Sequence, residues 1–305
     1  MGLVVALALG ASLLYGASDF LGAFTARSLT VIKASTLIFL AGSIASALAL
    51  PLVPWNYSNQ ALQAGVIAGV LGVLGMVTFY ASLAIGPMSL LAPLIALIQT
   101  AIPVFVAATT GQNLQLLAWI AVGLALAATT LISVPARAAS GEPVRERITA
   151  RGGLLAVVSG VALGFSVVFL DTAPADSGAF PAVADIIVGL ILLLPLFAVR
   201  RFRTSDAWLS GSVGPASVGA ALALEAPRAS TWVLSAIAGT LLGIGNILLV
   251  VALHSGNLAI VAVLVSLYPV GTVALARVVL KEQISVVQFL GVALAIVAAV
   301  LLGVS

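Results

Sequence analysis

The 305-residue chain has no cysteine and a single histidine, His254. The first absence excludes disulfides, thiolate metal sites and cysteine nucleophiles, and the second excludes a histidine metal cluster. Charge is scarce as well. Only 7% of the residues are Asp, Glu, Lys or Arg, against roughly 25% in soluble domains. Twelve basic and nine acidic residues cannot hydrate the whole surface of a soluble enzyme, a nucleic-acid binder or a disordered chain. No nucleotide-binding motif is present either, so this chain does not consume ATP. The start lacks a basic n-region, and its apolar run continues past Ala23; it reads as a membrane span rather than a cleaved signal.

What the chain has in abundance is apolar sequence: 62% of residues are hydrophobic, with a mean hydropathy of +1.29. A helix crossing the ~30 Å hydrocarbon layer needs about 20 such residues. Blocks of that length fall near 3–24, 34–53, 61–84, 88–110, 114–134, 152–172, 179–199, 231–253, 258–278 and 285–304. Runs such as Val157–Leu170 do not alternate, which excludes β-barrel strands. The spacing predicts an all-α membrane protein of ten transmembrane helices. Residues 135–151 form a basic linker, and residues 200–230 an extended loop rich in Gly, Ser, Ala and Arg.

The basic residues fall between helices 1 and 2 (Arg27, Lys33), 5 and 6 (Arg137, Arg145, Arg147, Arg151), 7 and 8 (Arg200, Arg201, Arg203, Arg228) and 9 and 10 (Arg277, Lys281). All lie on one side of a ten-span arrangement. The positive-inside rule makes that side cytoplasmic and places both termini outside.

A shift of 170 residues aligns helices 3–5 with helices 8–10 without a gap, pairing Gly69 with Gly239, Gly75 with Gly245 and Gly86 with Gly256. A second shift, of 148 residues, lays Tyr15-Gly16 over Leu163-Gly164. A five-helix unit is odd, so its two copies must lie in opposite orientation. The reading is therefore two inverted five-helix repeats around a central cavity, residues 1–134 and 152–305. Alternating-access transporters share this architecture, with substrate bound near the midplane between halves.

These paired halves, the run Leu264-Val265-Ser266-Leu267-Tyr268-Pro269-Val270 with Glu282 and Gln288-Phe289-Leu290-Gly291 beyond it, and Tyr15-Gly16-Ala17-Ser18-Asp19-Phe20-Leu21-Gly22 in helix 1 resemble EamA-type members of the drug/metabolite transporter superfamily. The resemblance covers nearly the whole chain. It implies a ten-helix basket, a cavity lined by helices 1, 3, 4, 6, 8 and 9, and a bias toward export. A bacterial inner membrane is the expected location.

Among individual residues, Asp19 is a carboxylate well inside a helix, where a charge costs about 2.5–3.5 kcal/mol on insertion scales. Tyr15, Ser18, Asp19 and Gly22 share one helical face by spacing, a polar stripe expected to face the cavity, with Tyr15, Ser18 and Asp19 as candidate pathway residues. Asp19 is a candidate proton carrier or substrate-amine partner; the alternative is an ion pair with Lys33 or Arg27. Thr78, Gln99 and Asn246 are uncharged polar groups near mid-helix that line the pathway or join helices. Ser266 and Tyr268, just before the break expected at Pro269, are candidate pathway residues, Tyr268 able to stack on or hydrogen-bond a substrate, and Pro93 and Pro103 are expected to interrupt helix 4. Asp171 and Asp185 read as solvated anchors near helix ends, Glu282 as a cap on helix 10, and His254 as an interfacial residue. Gly65/Gly69, Gly160/Gly164 and Gly239/Gly243 are small-residue pairs for close helix packing.

The expected function is secondary transport of a small metabolite, an amino acid or related compound, with protons as candidate coupling ion, membrane lipids as partners, no nucleic acid, no cofactor and no metal. The alternatives are a translocator of lipid-linked substrates and an integral membrane enzyme acting on them. An enzyme needs acid pairs, metal ligands or nucleophile–base sets, and the sequence offers only Asp171 and Asp176 in one loop.

Overall fold

The computed structural model describes residues 2–29, 31–85, 88–111, 115–132, 149–200, 228–271, 275 and 285–304. Arg137, Arg145, Arg147, Arg201, Arg203, Arg277, Lys281 and Glu282 lie outside the described residues, as do most of the expected linker and of loop 200–230. The apolar blocks are occupied by α1 (Gly2–Leu29), α2 (Val31–Ala49), α3 (Asn59–Ile85), α4 (Met88–Thr109), α5 (Leu116–Ile132), α6 (Ala150–Asp171), α7 (Phe180–Arg200), α8 (Arg228–Ser255), α9 (Leu258–Val265) and α10 (Val286–Val304). Six of these, α1, α2, α3, α6, α7 and α8, are long and apolar enough to cross a membrane. The apolar stretches Leu94–Thr109, Leu116–Ile132, Leu258–Gly271 and Val286–Leu302 are shorter.

Local chemistry sets the helix starts. The Thr149 hydroxyl accepts from Gly152 N at 3.1 Å and opens α6, and Asn257 accepts from Ala259 N at 2.9 Å to open α9. At α10, Ser285 and Gln288 cap each other reciprocally, at 3.2 and 3.0 Å, as in a capping box.

Proline acts differently in the two helices where breaks are expected. The expectation for Pro93 and Pro103 is corrected: α4 runs as one helix from Met88 to Thr109. A proline removes a single N–H, and packed neighbours can hold the turn together. Pro103 leaves the Gln99 carbonyl without its helical donor. That carbonyl faces Gly164 of α6, where an added Cβ would lie 2.9 Å away. At Pro269 the helix does break. α9 ends at Val265, Ser266 and Leu267 form a turn, and helix resumes at Tyr268.

The packing comes in pairs under a shift of five helices. α1 lies along α8 and α6 along α3; α2 lies along α8 and α7 along α3; α4 meets α6 and α9 meets α1. α2 also meets α7, and α5 meets α10. Individual atoms repeat the pattern. Ser18 Oγ donates to the Ala238 carbonyl at 2.8 Å, and Ser166 Oγ donates to the Ala68 carbonyl at 3.0 Å. These residues are related by the same shifts of 148 and 170. Likewise Gly245 abuts Tyr15 and Gly75 abuts Leu163.

Glycine makes these approaches possible. A Cβ on Gly239 would strike the Ile38 carbonyl of α2, and one on Gly69 would lie 2.5 Å from the Asp185 carbonyl of α7. The paired small residues of α3, α6 and α8 thus put backbone against backbone or against α4 side chains, as packing without a hydrophobic drive in lipid demands.

At one end of the bundle the α2–α3 and α6–α7 connections are joined. Trp55 and Gly178 form an isolated antiparallel bridge, Ala179 N donates to Pro54 O at 3.0 Å, and Asn56 N donates to Ser177 O at 3.1 Å. Phe180 stacks on Trp55 and meets the Tyr57 ring edge-on.

Candidate functional site: a polar triad in a central cavity

A cavity of about 90 Å³ lies where the two sets of helices meet, with room for several water molecules. α1 contributes Tyr15 and Asp19, α3 contributes Gly72, Met76 and Phe79, and α4 contributes Gln99. Leu163, Ser166 and Val167 of α6 and Leu242, Asn246 and Leu249 of α8 form further walls. Val265 and Tyr268 enter from either side of the α9 break. Two helices outside the expected set also contribute, α2 through Phe39 and α7 through Asp185 and Ile186. α5 and α10 supply no lining residue among those described.

Three polar side chains from three helices form a connected unit. Tyr15 donates its hydroxyl to Asn246 Oδ1 at 2.9 Å, and Asn246 Nδ2 donates to Asp185 Oδ2 at 2.7 Å and to the Ala182 carbonyl at 3.1 Å. Asn246 thereby uses one acceptor and both donors. The reverse amide orientation would turn its oxygen toward a carboxylate and a carbonyl, so the network itself fixes the orientation. The other carboxylate oxygen, Asp185 Oδ1, faces Gly72, where a Cβ would come within 3.2 Å.

Asp185 corrects the expectation of a solvated helix-end anchor, since it is 7% exposed and hydrogen-bonded inside the bundle. Distance along α7 suggested water nearby. In the fold, the α6–α7 connection is tied to the α2–α3 connection, and α3 and α8 close over that turn. The sequence does carry one signal: Asp185 is flanked by Val183-Ala184 and Ile186-Ile187-Val188, with no other polar residue from Phe180 to Pro195.

Asp19 lines the same cavity one helical turn beyond Tyr15. Among the described side chains no ion pair reaches it. Lys33 is exposed, and the Arg27 side chain lies outside the described residues.

Of the remaining sequence candidates, Gln99 and Tyr268 also line the cavity. Ser18, Thr78 and Ser266 do not. Ser18 joins α1 to α8, Thr78 bonds to the Leu74 and Gly75 carbonyls of its own helix, and Ser266 bonds to the Val263 carbonyl at the α9 break. Thr78 and Ser266 satisfy themselves within their own helix and Ser18 on the facing one, which spacing alone does not reveal. The apolar lining, Phe39, Phe79 and Leu163, resembles core in the sequence and carried no signal. No group of three or more metal-ligating side chains occurs among the described residues.

Comparison with known proteins bears on this arrangement. A solved crystal structure of a protein superposes with a TM-score of 0.69 and 18% identity, covering 98% of this chain and 95% of the other; at that identity the likeness concerns the fold. No curated protein matches the chain. The family model of the EamA-like transporter family matches residues 150–304. That is half the sequence, the half carrying Asp185, Asn246 and Tyr268, and with it the chain, a multi-pass helical membrane protein, belongs to the EamA-like transporter family.

Proposed function

We propose that the protein is a secondary transporter that moves a small metabolite by alternating access of the central cavity, with ten spans arranged as two inverted five-helix halves. The observation that carries this reading is a cavity lined from both halves, at which α1/α8 and α6/α3 meet through equivalent hydrogen bonds, Ser18 to Ala238 and Ser166 to Ala68. Two rigid halves around one midplane site are the geometry that rocking transporters use. The broken α9 supports the same reading, because interrupted helices at membrane depth occur where they line a cavity.

Topology follows from charge. Lys33, Arg151 and Arg200 begin or end helices at the end opposite the Trp55–Gly178 bridge, which makes that end cytoplasmic. Export is favoured by the family resemblance. Asp19 and Asp185, two carboxylates that face the cavity, are the groups through which protons would couple to transport.

Reconstitution into liposomes tests the reading. Vesicles loaded in turn with unlabelled amino acids, nucleosides, sugars or amines should accumulate the matching radiolabelled compound by counterflow for one class. Asp19→Asn should fold normally and lose coupling to an imposed pH gradient. Flipping of a fluorescent phospholipid without counterflow of any soluble class would move the function to lipid translocation.

A further inference from the structure

The two shifts that relate the halves also compare the walls of the cavity, position by position. Tyr15 corresponds to Leu163, Asp19 to Val167 and Asn246 to Met76. For α7 and α2 the correspondence comes from packing: Gly69 abuts the Asp185 carbonyl as Gly239 abuts the Ile38 carbonyl. Asp185 therefore corresponds to Ile38. Backbone symmetry is preserved while chemistry is not. Tyr15, Asp19, Asn246 and Asp185 thus each have an apolar counterpart, whereas Ser18 and Ser166, which join helices, remain alike.

Two consequences follow for an occupant. The cavity holds two carboxylates and, among the described lining residues, no Lys, Arg or His, so its own field favours a positive charge. It also holds the apolar surface of Met76, Leu163 and Val167 and the aromatic rings of Phe39, Phe79 and Tyr268. Aromatic faces attract cations, organic ammonium groups among them, through the ring quadrupole. A separate observation points to the Asp19 end. The Tyr80 hydroxyl is buried, has no hydrogen-bond partner among the described residues, and reaches α1 against Gly22, one turn from Asp19. A buried phenol of this kind can donate to a carboxylate or accept from a ligand's N–H.

We infer that the substrate is an organic ammonium compound with an apolar body, its cationic head held between Asp19 and Asp185 and its body against the Met76, Leu163 and Val167 wall. The inference rests on the transporter reading and names its substrate class. Anionic and neutral analogues bind less well, because neither offers the two desolvated carboxylates a counter-charge.

Phenethylamine, 2-phenylethanol and 3-phenylpropionate separate these possibilities, since they share an aromatic body and differ in charge. Equilibrium binding of each to the purified full-length chain in detergent should give saturable binding of phenethylamine, with the other two weaker by roughly tenfold or more. Asp185→Asn and Asp19→Asn should each weaken the amine while leaving 2-phenylethanol unchanged, on protein that remains monodisperse and helical. The wild-type comparison decides even where a variant fails to fold. Equal or tighter binding of the acid or the alcohol, or no binding of the amine, overturns the inference. In that case, counterflow of another compound in liposomes would leave the transporter reading intact, whereas absence of counterflow for every soluble class would remove that reading too.

Discussion

Asn246 of α8 donates to the Asp185 carboxylate of α7 at 2.7 Å, and this contact joins two helices whose main packing is with other partners. Tyr15 completes the unit from α1. A buried carboxylate that loses its donor keeps the full cost of desolvation, and hydrogen bonds to charged groups are worth about 1.5–3 kcal/mol.

Replacing Asn246 by methionine, the residue found 170 positions earlier, should therefore lower stability by about 1–3 kcal/mol. Asn246→Met/Asp185→Leu should recover part of that loss, because removing both partners leaves no orphaned charge. Thermal unfolding in detergent, followed by circular dichroism, reads both values. A single variant as stable as wild type would remove the network's structural role.

The helix crossings depend on missing side chains at particular glycines. At Gly239 a Cβ would meet the Ile38 carbonyl, which is backbone and cannot rotate away, whereas at Gly123 it would meet nothing within 4 Å. Gly239→Ala should cost about 1–3 kcal/mol, as overpacking does, and Gly123→Ala should stay within about 0.5 kcal/mol. Unfolding midpoints of the two variants measured side by side check the difference.

Ser18 and Ser166 make equivalent interhelical bonds to Ala238 and Ala68. Ser18→Ala and Ser166→Ala should shift stability by similar small amounts, about 0.6 kcal/mol each as for such bonds in membranes, and the double variant should approach the sum. Unequal single effects differing severalfold would argue that the two helix pairs are not mechanical equivalents.

The joined connections at one end rely on Gly178, which adopts φ +54°, with the Pro54 carbonyl where a Cβ would project. Gly178→Ala should open this junction, since strain of this kind costs about 1–3 kcal/mol. Hydrogen exchange at the amides of Asn56 and Ala179, which donate across the junction, should accelerate while exchange within α3 and α7 stays slow. Unchanged exchange at both amides would show that the bridge does not hold the connections together.

The amino-acid sequence by itself determined the medium and the elements. An apolar chain with 7% charge has only lipid as a stable surroundings, and lipid permits helices because each must satisfy its own backbone. The helices consequently fall on the apolar blocks, and the two shifts that align Gly69 with Gly239 and Tyr15 with Leu163 reappear as equivalent contacts. Asp19, Tyr15, Gln99, Asn246 and Tyr268 were legible because polarity inside an apolar run is a local signal. Which polar groups meet was not legible. Ser18, Thr78 and Ser266 carry the same local signal as Asn246, yet each is consumed by a nearby carbonyl. Asp185 looked close to water until two connections joined beside it, and the prolines of α4 looked like breaks until α6 packed against the turn they weaken. Hydrogen-bond partners separated by 61 and 231 residues are chosen by how helices cross, and the tertiary structure alone decides that, because backbone approach at glycine sets which side chains come within reach.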